Sequence, residues 1–307
     1  MHIFLTGSTG YVGNRILLAL INSKNQVSVL VRNESVNKIP DKLKPNLRII
    51  KGDVRNNESY AGELSGCDAV IYLPGLIREF PKRGITFQQI HFDGVKNMID
   101  SSKREGVKRF LLMSANGVKP NASTEYLRTK YDAEEYLKQS GLNWTIFRPS
   151  VIFGDENEGR YNFISVIVDL LNQLPLFVPV IGNGEYRFQP ISIYNVADAF
   201  VKSLEIEQTI GRTYSLCGKE VFTYNQLVNI ILKIVNRKKM KLHIPVWNMK
   251  LLAKLFDKFD WFPVTHDQIM MLLEENICRD EVDIFVKMNI KPIYLEDGIK
   301  VFHKKFL

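Results

Sequence analysis

A glycine-rich loop directly after the first apolar segment is the feature that most restricts what this chain can fold into. The segment His2–Thr6 is predicted as a strand and Tyr11–Ile21 as an amphipathic helix. The glycines between them allow a tight turn, a close approach of a diphosphate to the backbone, and close packing of the helix, whose N-terminus supplies N–H donors. We therefore predict a dinucleotide-binding loop made of Thr6, Gly7, Ser8, Thr9, Gly10, Tyr11, Val12 and Gly13.

Apolar strand patterns and amphipathic helix patterns alternate over the first 150 residues. The predicted strands are His2–Thr6, Gln26–Val31, Leu47–Lys51, Ala69–Leu73, Arg109–Ser114 and Trp144–Arg148, and the helices between them include Tyr11–Ile21, Phe87–Arg104 and Glu125–Gln139. Strands joined through helices form right-handed crossovers. This order predicts an α/β fold with a doubly wound parallel sheet of the Rossmann type.

The pattern changes after Gly154, where irregular segments rich in Pro and Gly join further helices. We predict a dinucleotide-binding domain at residues 1–154 and a smaller, mostly helical substrate or lid region at 155–307. Residues 187–204 are expected to return to the first domain.

The cysteines and the net charge limit which compartment and which partners the sequence predicts. The three cysteines, Cys67, Cys217 and Cys278, are far apart and form no CxxC pair, so we expect neither a disulfide framework nor a metal site, and a reducing compartment. The absence of a leader pattern and of an uninterrupted apolar stretch predicts a cytoplasmic protein, with peripheral association at the inner face of a membrane left open. The net charge of +8 favours anionic partners without selecting one, and nothing indicates nucleic acid.

The residue after the second strand predicts the type of cofactor. An acidic residue there would bind the ribose of NAD, whereas this chain has Arg32, whose guanidinium suits the 2′-phosphate of NADP. NADP(H) is therefore preferred, with NAD(H) as the alternative if Glu34 contacts the ribose. Asp53, after the third strand, is placed either to accept a hydrogen bond from the adenine amino group or to cap a turn. Val54 and Pro74 are further predicted cofactor contacts.

A tyrosine and a lysine one helical turn apart are the candidate catalytic residues. Tyr126 and Lys130 are four residues apart in a predicted helix and so share a face, where the ammonium would favour ionisation of the phenol. Such a tyrosine can exchange a proton with an alcohol or carbonyl. Ser114, at the end of the fifth strand, could orient the substrate oxygen, although Asn116 could take the same place or Ser114 could only cap the strand.

Together these motifs resemble the extended and atypical short-chain dehydrogenases/reductases, which include NAD-dependent epimerases/dehydratases. The resemblance rests on the glycine loop, Gly52-Asp53-Val54, the Tyr126–Lys130 pair and the segment Arg148–Gly154. It implies that Lys130, Pro149, Ser150 and Val151 contact the cofactor, the last three beside the nicotinamide. Extended members usually have Asn where His91 stands; we favour a packed role for this histidine.

More narrowly, the segments around His91, Val107–Phe110, Arg187–Pro190 and Asn195–Asp198 resemble the atypical group related to the nucleotide-binding accessory subunit of respiratory complex I. That resemblance implies a second interpretation. The first is an NADP(H)-binding oxidoreductase acting on a carbonyl, alcohol or quinone-like small molecule. The alternative is a non-catalytic NADP(H)-binding accessory or assembly protein of a membrane-associated respiratory or quinone-biosynthesis complex. The oligomeric state stays open.

The helix predicted at Trp247–Phe259 also has two interpretations. Its Trp, Leu and Phe residues lie on one side and its lysines on the other. Such a helix can lie on a membrane surface, but we favour one whose apolar side faces the core.

Overall fold

Strands rich in Val, Ile, Leu and Phe build the amino-terminal half. The computed structural model describes residues 1–155, 162–174, 176–256, 265–279 and 282–302. Its strands are β1 (His2–Thr6), β2 (Gln26–Val31), β3 (Leu47–Lys51), β4 (Ala69–Tyr72), β5 (Arg109–Met113), β6 (Asn143–Pro149), β7 (Ile152–Phe153), β8 (Phe177–Ile181), β9 (Arg187–Phe188), β10 (Ile191–Ser192), β11 (Arg212–Leu216), β12 (Phe222–Thr223) and β13 (Met240–Ile244).

Ten α-helices accompany these strands in the part of the chain that the structure describes. They are α1 (Tyr11–Asn22), α2 (Gly94–Arg104), α3 (Glu125–Lys138), α4 (Phe163–Gln173), α5 (Ile193–Ser203), α6 (Tyr224–Ile234), α7 (Val246–Phe256), α8 (His266–Leu273), α9 (Ile284–Lys287) and α10 (Leu295–Phe302). None of these helices is long and apolar enough to cross a bilayer.

Seven parallel strands form the main sheet, in the order β11-β6-β5-β4-β1-β2-β3. The predicted doubly wound α/β fold is therefore confirmed. The strand order reverses between β1 and β4, and open sheets of this kind bind ligands in the crevice at the carboxyl ends of the strands beside such a reversal. The glycine loop follows β1 directly and so lies at this edge.

Alternate side chains of the central strands are buried on both sides of the sheet. Phe110 and Leu112 of β5 belong to a core cluster that includes residues of α2 and α3. On the other side, the ring of Phe147 in β6 lies 4.6 Å from that of Phe200 in α5, and α5 packs against α1. Burial on both faces explains why the strands read as continuous apolar runs in the sequence.

The chain divides into two compact units. Unit 1 comprises residues 1–149, 193–216 and 280–291, and unit 2 comprises 150–192, 217–279 and 292–307. Unit 1 contains the whole seven-stranded sheet. Strand β11 was not predicted from the sequence, and it extends unit 1 beyond the amino-terminal segment. The predicted boundary at residue 154 and the return of 187–204 stay predictions.

Unit 2 is built on three small sheets and several helices. β7 pairs with β10 and β8 with β13 in parallel, whereas β9 and β12 are antiparallel. Its core includes Ile164 and Leu171 of α4, Val178 of β8, and Leu227 and Ile231 of α6.

A disulfide joins Cys217 and Cys278 in unit 2, so the expectation that the cysteines form no disulfide was wrong. The two cysteines are 61 residues apart, a separation that gives no signal in the sequence. Their segments meet at Gln189, whose side chain accepts a hydrogen bond from the Cys278 N–H (2.9 Å) and donates one to the Gly218 carbonyl (2.7 Å). Cys67 remains a buried thiol. The cysteine argument for a reducing compartment therefore fails.

Candidate functional site

The glycine loop turns sharply between β1 and α1. Gly7 has a φ of +78°, which only glycine adopts readily, and its carbonyl accepts a hydrogen bond from the Gly10 N–H at 3.0 Å. A Cβ atom added to Gly13 would lie 2.0 Å from the Gly7 carbonyl oxygen. The loop and the first turn of α1 are therefore packed too closely for any residue other than glycine at position 13.

The donors of this loop suit a diphosphate. Gly10 caps α1 without a side-chain hydrogen bond, so the first turn offers N–H groups and partial positive charge to a ligand. The Ser8 hydroxyl is buried and has no hydrogen-bond partner among the described residues. Gly10 itself is exposed. These features fit the phosphates of a dinucleotide, and Thr6 stabilises the base of the loop by donating to the Ile71 carbonyl of β4 (3.4 Å).

The predicted specificity residues after β2 and β3 are paired with their neighbours. The Arg32 guanidinium lies 3.3 Å from the Glu34 carboxylate, and both side chains are largely exposed. The Asp53 carboxylate accepts hydrogen bonds from the Arg55 side chain at 2.7 and 3.0 Å. Burial alone would raise the pKa of Asp53, but the hydrogen bonds from Arg55 and the charges of Arg55 and Arg32 bring it below the usual value. Val54 belongs to the core.

Tyr126 and Lys130 lie in the first half of α3, which begins after Thr124 caps it through the Leu127 N–H. The Lys130 ammonium lies 5.5 Å from the centroid of the Tyr126 ring and donates to the Met113 carbonyl at 3.4 Å. Burial raises the pKa of Tyr126 to about 12 and lowers that of Lys130 to about 8, the latter opposed by the nearby Glu134 carboxylate. The pKa of the phenol is therefore raised by burial, not lowered by the ammonium as expected.

His91 is packed against Tyr126. It lies in a π-helical segment, Gln88–Asp93, that leads into α2. Its ring stacks on Phe87 at 5.2 Å and meets Tyr126 edge-on at 5.2 Å. Nε2 accepts from the Leu76 N–H (3.0 Å), which assigns the proton to Nδ1, and Nδ1 then donates to the Thr129 hydroxyl (3.1 Å). Burial and the charge of Lys130 lower the pKa of His91 to about 2, so the ring is neutral.

The Ser114 hydroxyl is committed to a buried carboxylate that the sequence analysis missed. It donates to Glu134 Oε1 at 2.5 Å, and Arg148 forms an ion pair with the same carboxylate at 2.5 Å. Glu134 is fully buried. A hydroxyl has one proton, so in this arrangement Ser114 has no donor left for a substrate oxygen. The four-residue spacing that continues from Tyr126 and Lys130 predicts that Glu134 shares their face of α3, but it does not predict that the carboxylate is buried.

A small cavity lies at the carboxyl ends of β4 and β5, lined by residues that include Tyr72, Pro74, His91, Met113, Ser114 and Lys130. Pro74 also borders the glycine loop, since a Cβ atom on Gly7 would lie 3.1 Å from the Pro74 nitrogen. The structure thus brings the loop, Pro74 and Lys130 to one edge of the sheet.

The residues predicted to lie beside the nicotinamide are divided between the two units. Pro149 ends β6 in unit 1, where its carbonyl accepts from the Asn116 N–H at 2.9 Å. Ser150 and Val151 belong to unit 2, where Ser150 donates to the Gln189 carbonyl (2.6 Å) and the Val151 carbonyl accepts from the Ile191 N–H (3.0 Å). Arg15 of α1 stacks on the Tyr194 ring at 3.7 Å.

Comparison with known proteins gives one family and several relatives. A family model described as NAD(P)H-binding matches residues 7–171. The chain is 24% identical over 291 residues to the mitochondrial NADH-ubiquinone oxidoreductase 40 kDa subunit of Neurospora crassa, covering 93% of this chain and 74% of that protein. It is 23% identical over 290 residues to the photosystem II assembly factor Ycf39 of Trieres chinensis, covering 93% and 86%.

Among solved structures, the chain is similar to UDP-glucose 4-epimerase of Thermotoga maritima, with a TM-score of 0.76. The two are 19% identical, and the match covers 100% of this chain and 98% of that chain. This likeness shows that the fold is the Rossmann-like α/β fold of such epimerases.

Proposed function

Because the chain belongs to the NAD(P)H-binding family, we propose that it holds NADP(H) as an accessory or assembly protein of a membrane-associated respiratory or quinone-biosynthesis complex. The observation that carries this proposal is the hydrogen bond from the Ser114 hydroxyl to the buried Glu134 carboxylate. The cofactor loop is intact, whereas the hydroxyl expected to orient a substrate is used inside the protein.

The residues that would hold the cofactor lie in unit 1. The Thr6–Gly13 loop and the first turn of α1 bind the diphosphate, and the Ser8 hydroxyl adds a donor there. Arg32 would bind the 2′-phosphate of NADP(H), which would replace the Glu34 carboxylate as its partner. Lys130 and Pro74 would face the remainder of the cofactor at the cavity. Bound NADPH could supply a hydride, but in a structural role that hydride is not transferred.

Two further observations support a cofactor that is held and not consumed. Burial raises the pKa of Tyr126 to about 12, so its phenolate, the form that would act as a base, is harder to reach than in a free tyrosine. The curated relatives described above are named as a subunit of NADH-ubiquinone oxidoreductase and as a photosystem II assembly factor. Both names refer to large membrane complexes, which fits a peripheral location for this chain.

The second candidate function is an NADP(H)-dependent oxidoreductase acting on a carbonyl, alcohol or quinone-like substrate. It is favoured by the Lys130 ammonium, which has a pKa of about 8 and lies beside both Tyr126 and the cavity. In that case Tyr126 is the proton donor, Lys130 its electrostatic partner, and Ser114 would have to leave Glu134.

One experiment separates the two functions. We expect NADPH to raise the melting temperature of the protein, with no oxidation of the bound NADPH across a panel of carbonyls and quinones. Gly13→Val should abolish the thermal shift, because the added side chain collides with the Gly7 carbonyl. Tyr126→Phe should leave the shift unchanged. Turnover that disappears in Tyr126→Phe would establish the oxidoreductase instead.

The preference for NADP(H) is tested at Arg32 and Glu34. Arg32→Ser should weaken NADPH more than tenfold in calorimetric titration and leave NADH nearly unchanged, since a charge-assisted contact to phosphate contributes about 1.5–3 kcal/mol. Glu34→Gln removes the competing carboxylate and should strengthen NADPH. Equal effects of Arg32→Ser on the affinities for both cofactors would indicate that Arg32 does not bind the 2′-phosphate.

A further inference from the structure

Helix α7 in unit 2 exposes its apolar residues to solvent. Trp247, Leu251 and Leu255 are 68%, 52% and 57% exposed, and Leu252 beside them is also exposed. The spacing of four places the first three on one stripe, each about 40° from the next. The sequence favoured a core-facing apolar side over residues 247–259; for Trp247, Leu251 and Leu255 the structure contradicts this, and residues 257–259 lie outside the described part of the chain. Ala253, on the other side of the helix, is fully buried and shows which face holds α7 to its unit.

Exposed apolar side chains are concentrated in this part of unit 2. β13 leads into α7 through Pro245 and exposes Met240 and Leu242. Residues 240–255 thus contain six exposed large apolar side chains: Met240, Leu242, Trp247, Leu251, Leu252 and Leu255. Single exposed apolar residues are normal on a protein surface, but the stripe of them along α7 indicates a surface that is covered in use.

The charges on α7 indicate what covers it. The helix carries Lys250 and Lys254 and has no acidic residue. Both lysines lie on the same edge of the apolar stripe, next to Trp247, and neither is ion-paired within the residues that the structure describes. Lysines that flank a stripe of Leu and Trp allow a helix to lie in the plane of a bilayer, with the ammonium groups reaching anionic headgroups and the indole at the interface.

We propose that α7 is a docking surface for a bilayer that contains anionic lipid. Leu251, Leu252 and Leu255 enter the acyl region, Trp247 lies at the headgroup level, and Lys250 and Lys254 pair with lipid phosphates. This inference rests on the membrane-associated role proposed above and adds the surface that would provide it. It does not depend on whether the cofactor is turned over.

Co-sedimentation with vesicles tests the proposal. The full chain should bind phosphatidylcholine vesicles that contain phosphatidylglycerol, bind pure phosphatidylcholine weakly, and release in high salt. Leu251→Ser with Leu255→Ser should weaken partitioning more than tenfold. Lys250→Gln and Lys254→Gln should each weaken it about fivefold on anionic vesicles only. Val166→Ser is the matched control, because Val166 is an exposed apolar residue of α4 in the same unit.

The tryptophan fluorescence, to which Trp247 contributes together with Trp144 and Trp261, should shift to shorter wavelength with anionic vesicles and lose the shift in the double serine variant. The proposal is overturned by failure to bind any vesicle, by binding that the double variant leaves unchanged, or by self-association that the variant abolishes without vesicles. Melting with NADPH on the same samples keeps the two proposals apart: vesicle binding without a thermal shift rejects only the cofactor role.

Discussion

His91 is a buried histidine whose surroundings keep its ring neutral. Its ring is held on both nitrogens and packed between Phe87 and Tyr126. The sequence indicated a packed histidine. It did not indicate the π-helical segment that turns the ring toward Tyr126, because no residue pattern is specific for a π-helical turn. Its neutral state now has a measurable consequence.

We expect His91 to make the protein less stable in mild acid. Its pKa is about 2 in the folded protein and about 6.5 when unfolded. The unfolded chain therefore binds the proton first, so this stability is present above pH 6.5 and is lost as the pH falls below it. At pH 5 the loss is about 2 kcal/mol. Urea unfolding at pH 7.5 and pH 5 measures it.

His91→Asn should remove this part of the pH dependence, and His243→Asn, on the exposed edge of β13, should leave it as in the parent. An unchanged pH dependence in His91→Asn would show that the ring is protonated without cost in the folded protein.

At the scale of an element, one face of α3 carries Tyr126, Lys130, Glu134 and Lys138 at intervals of four residues. Only the first two were recognised from the sequence, because a tyrosine and a lysine at this spacing have a known chemical use. Glu134 was not singled out from the sequence. Its burial depends on Arg148 at the end of β6 and Ser114 after β5, which tertiary folding alone brings together.

Removing the Glu134 carboxylate should be costly, because it leaves the Arg148 cation and the Ser114 hydroxyl without their partner. We expect Glu134→Ala to lower the free energy of unfolding by about 3–5 kcal/mol. Ser114→Ala should cost about 1–2 kcal/mol. Glu135→Ala is the matched control: its ion pair with Lys138 is partly exposed, and about 0.5 kcal/mol is expected. Urea denaturation measures all three, and equal losses for Glu134 and Glu135 would contradict the buried network.

Six strands of the main sheet were predicted almost to the residue, since runs such as Phe4–Leu5 and Val70–Ile71 are buried on both sides and carry a strong apolar signal. β11 escaped notice because Arg-Thr-Tyr-Ser-Leu is short and mixed in polarity, as befits a strand at a sheet edge. The glycine loop could be predicted because its conformation depends on residues that are adjacent in the sequence. The pairing of Arg32 with Glu34 and of Asp53 with Arg55 was not, since it depends on side-chain geometry.

For the whole molecule, the Cys217–Cys278 bridge is the covalent constraint that sequence spacing could not predict. It closes a loop of 61 residues that contains α6, α7 and α8. Chain-entropy estimates for a loop of this size give about 4 kcal/mol of stabilisation.

We therefore expect reduction of the bridge to lower the melting temperature. Cys217→Ser should melt at the same lower temperature with or without dithiothreitol, while the parent should change between the two conditions. The double variant Cys217→Ser/Cys278→Ser controls for mispairing with Cys67. A parent protein that melts identically in both conditions would mean that the bridge does not form in solution.

The position of β11 far beyond β6 in the sequence has a consequence for folding during translation. One edge of β6 pairs with β5 and the other edge pairs with β11. Residues 150–192, which belong to unit 2, lie between β6 and β11 in the sequence. During synthesis the glycine loop emerges from the ribosome early, yet the backbone of β6 stays open until residue 216 has been translated. A nascent chain stalled before that point would present one unpaired edge of β6 to its neighbours, a site where chains can associate through strand pairing.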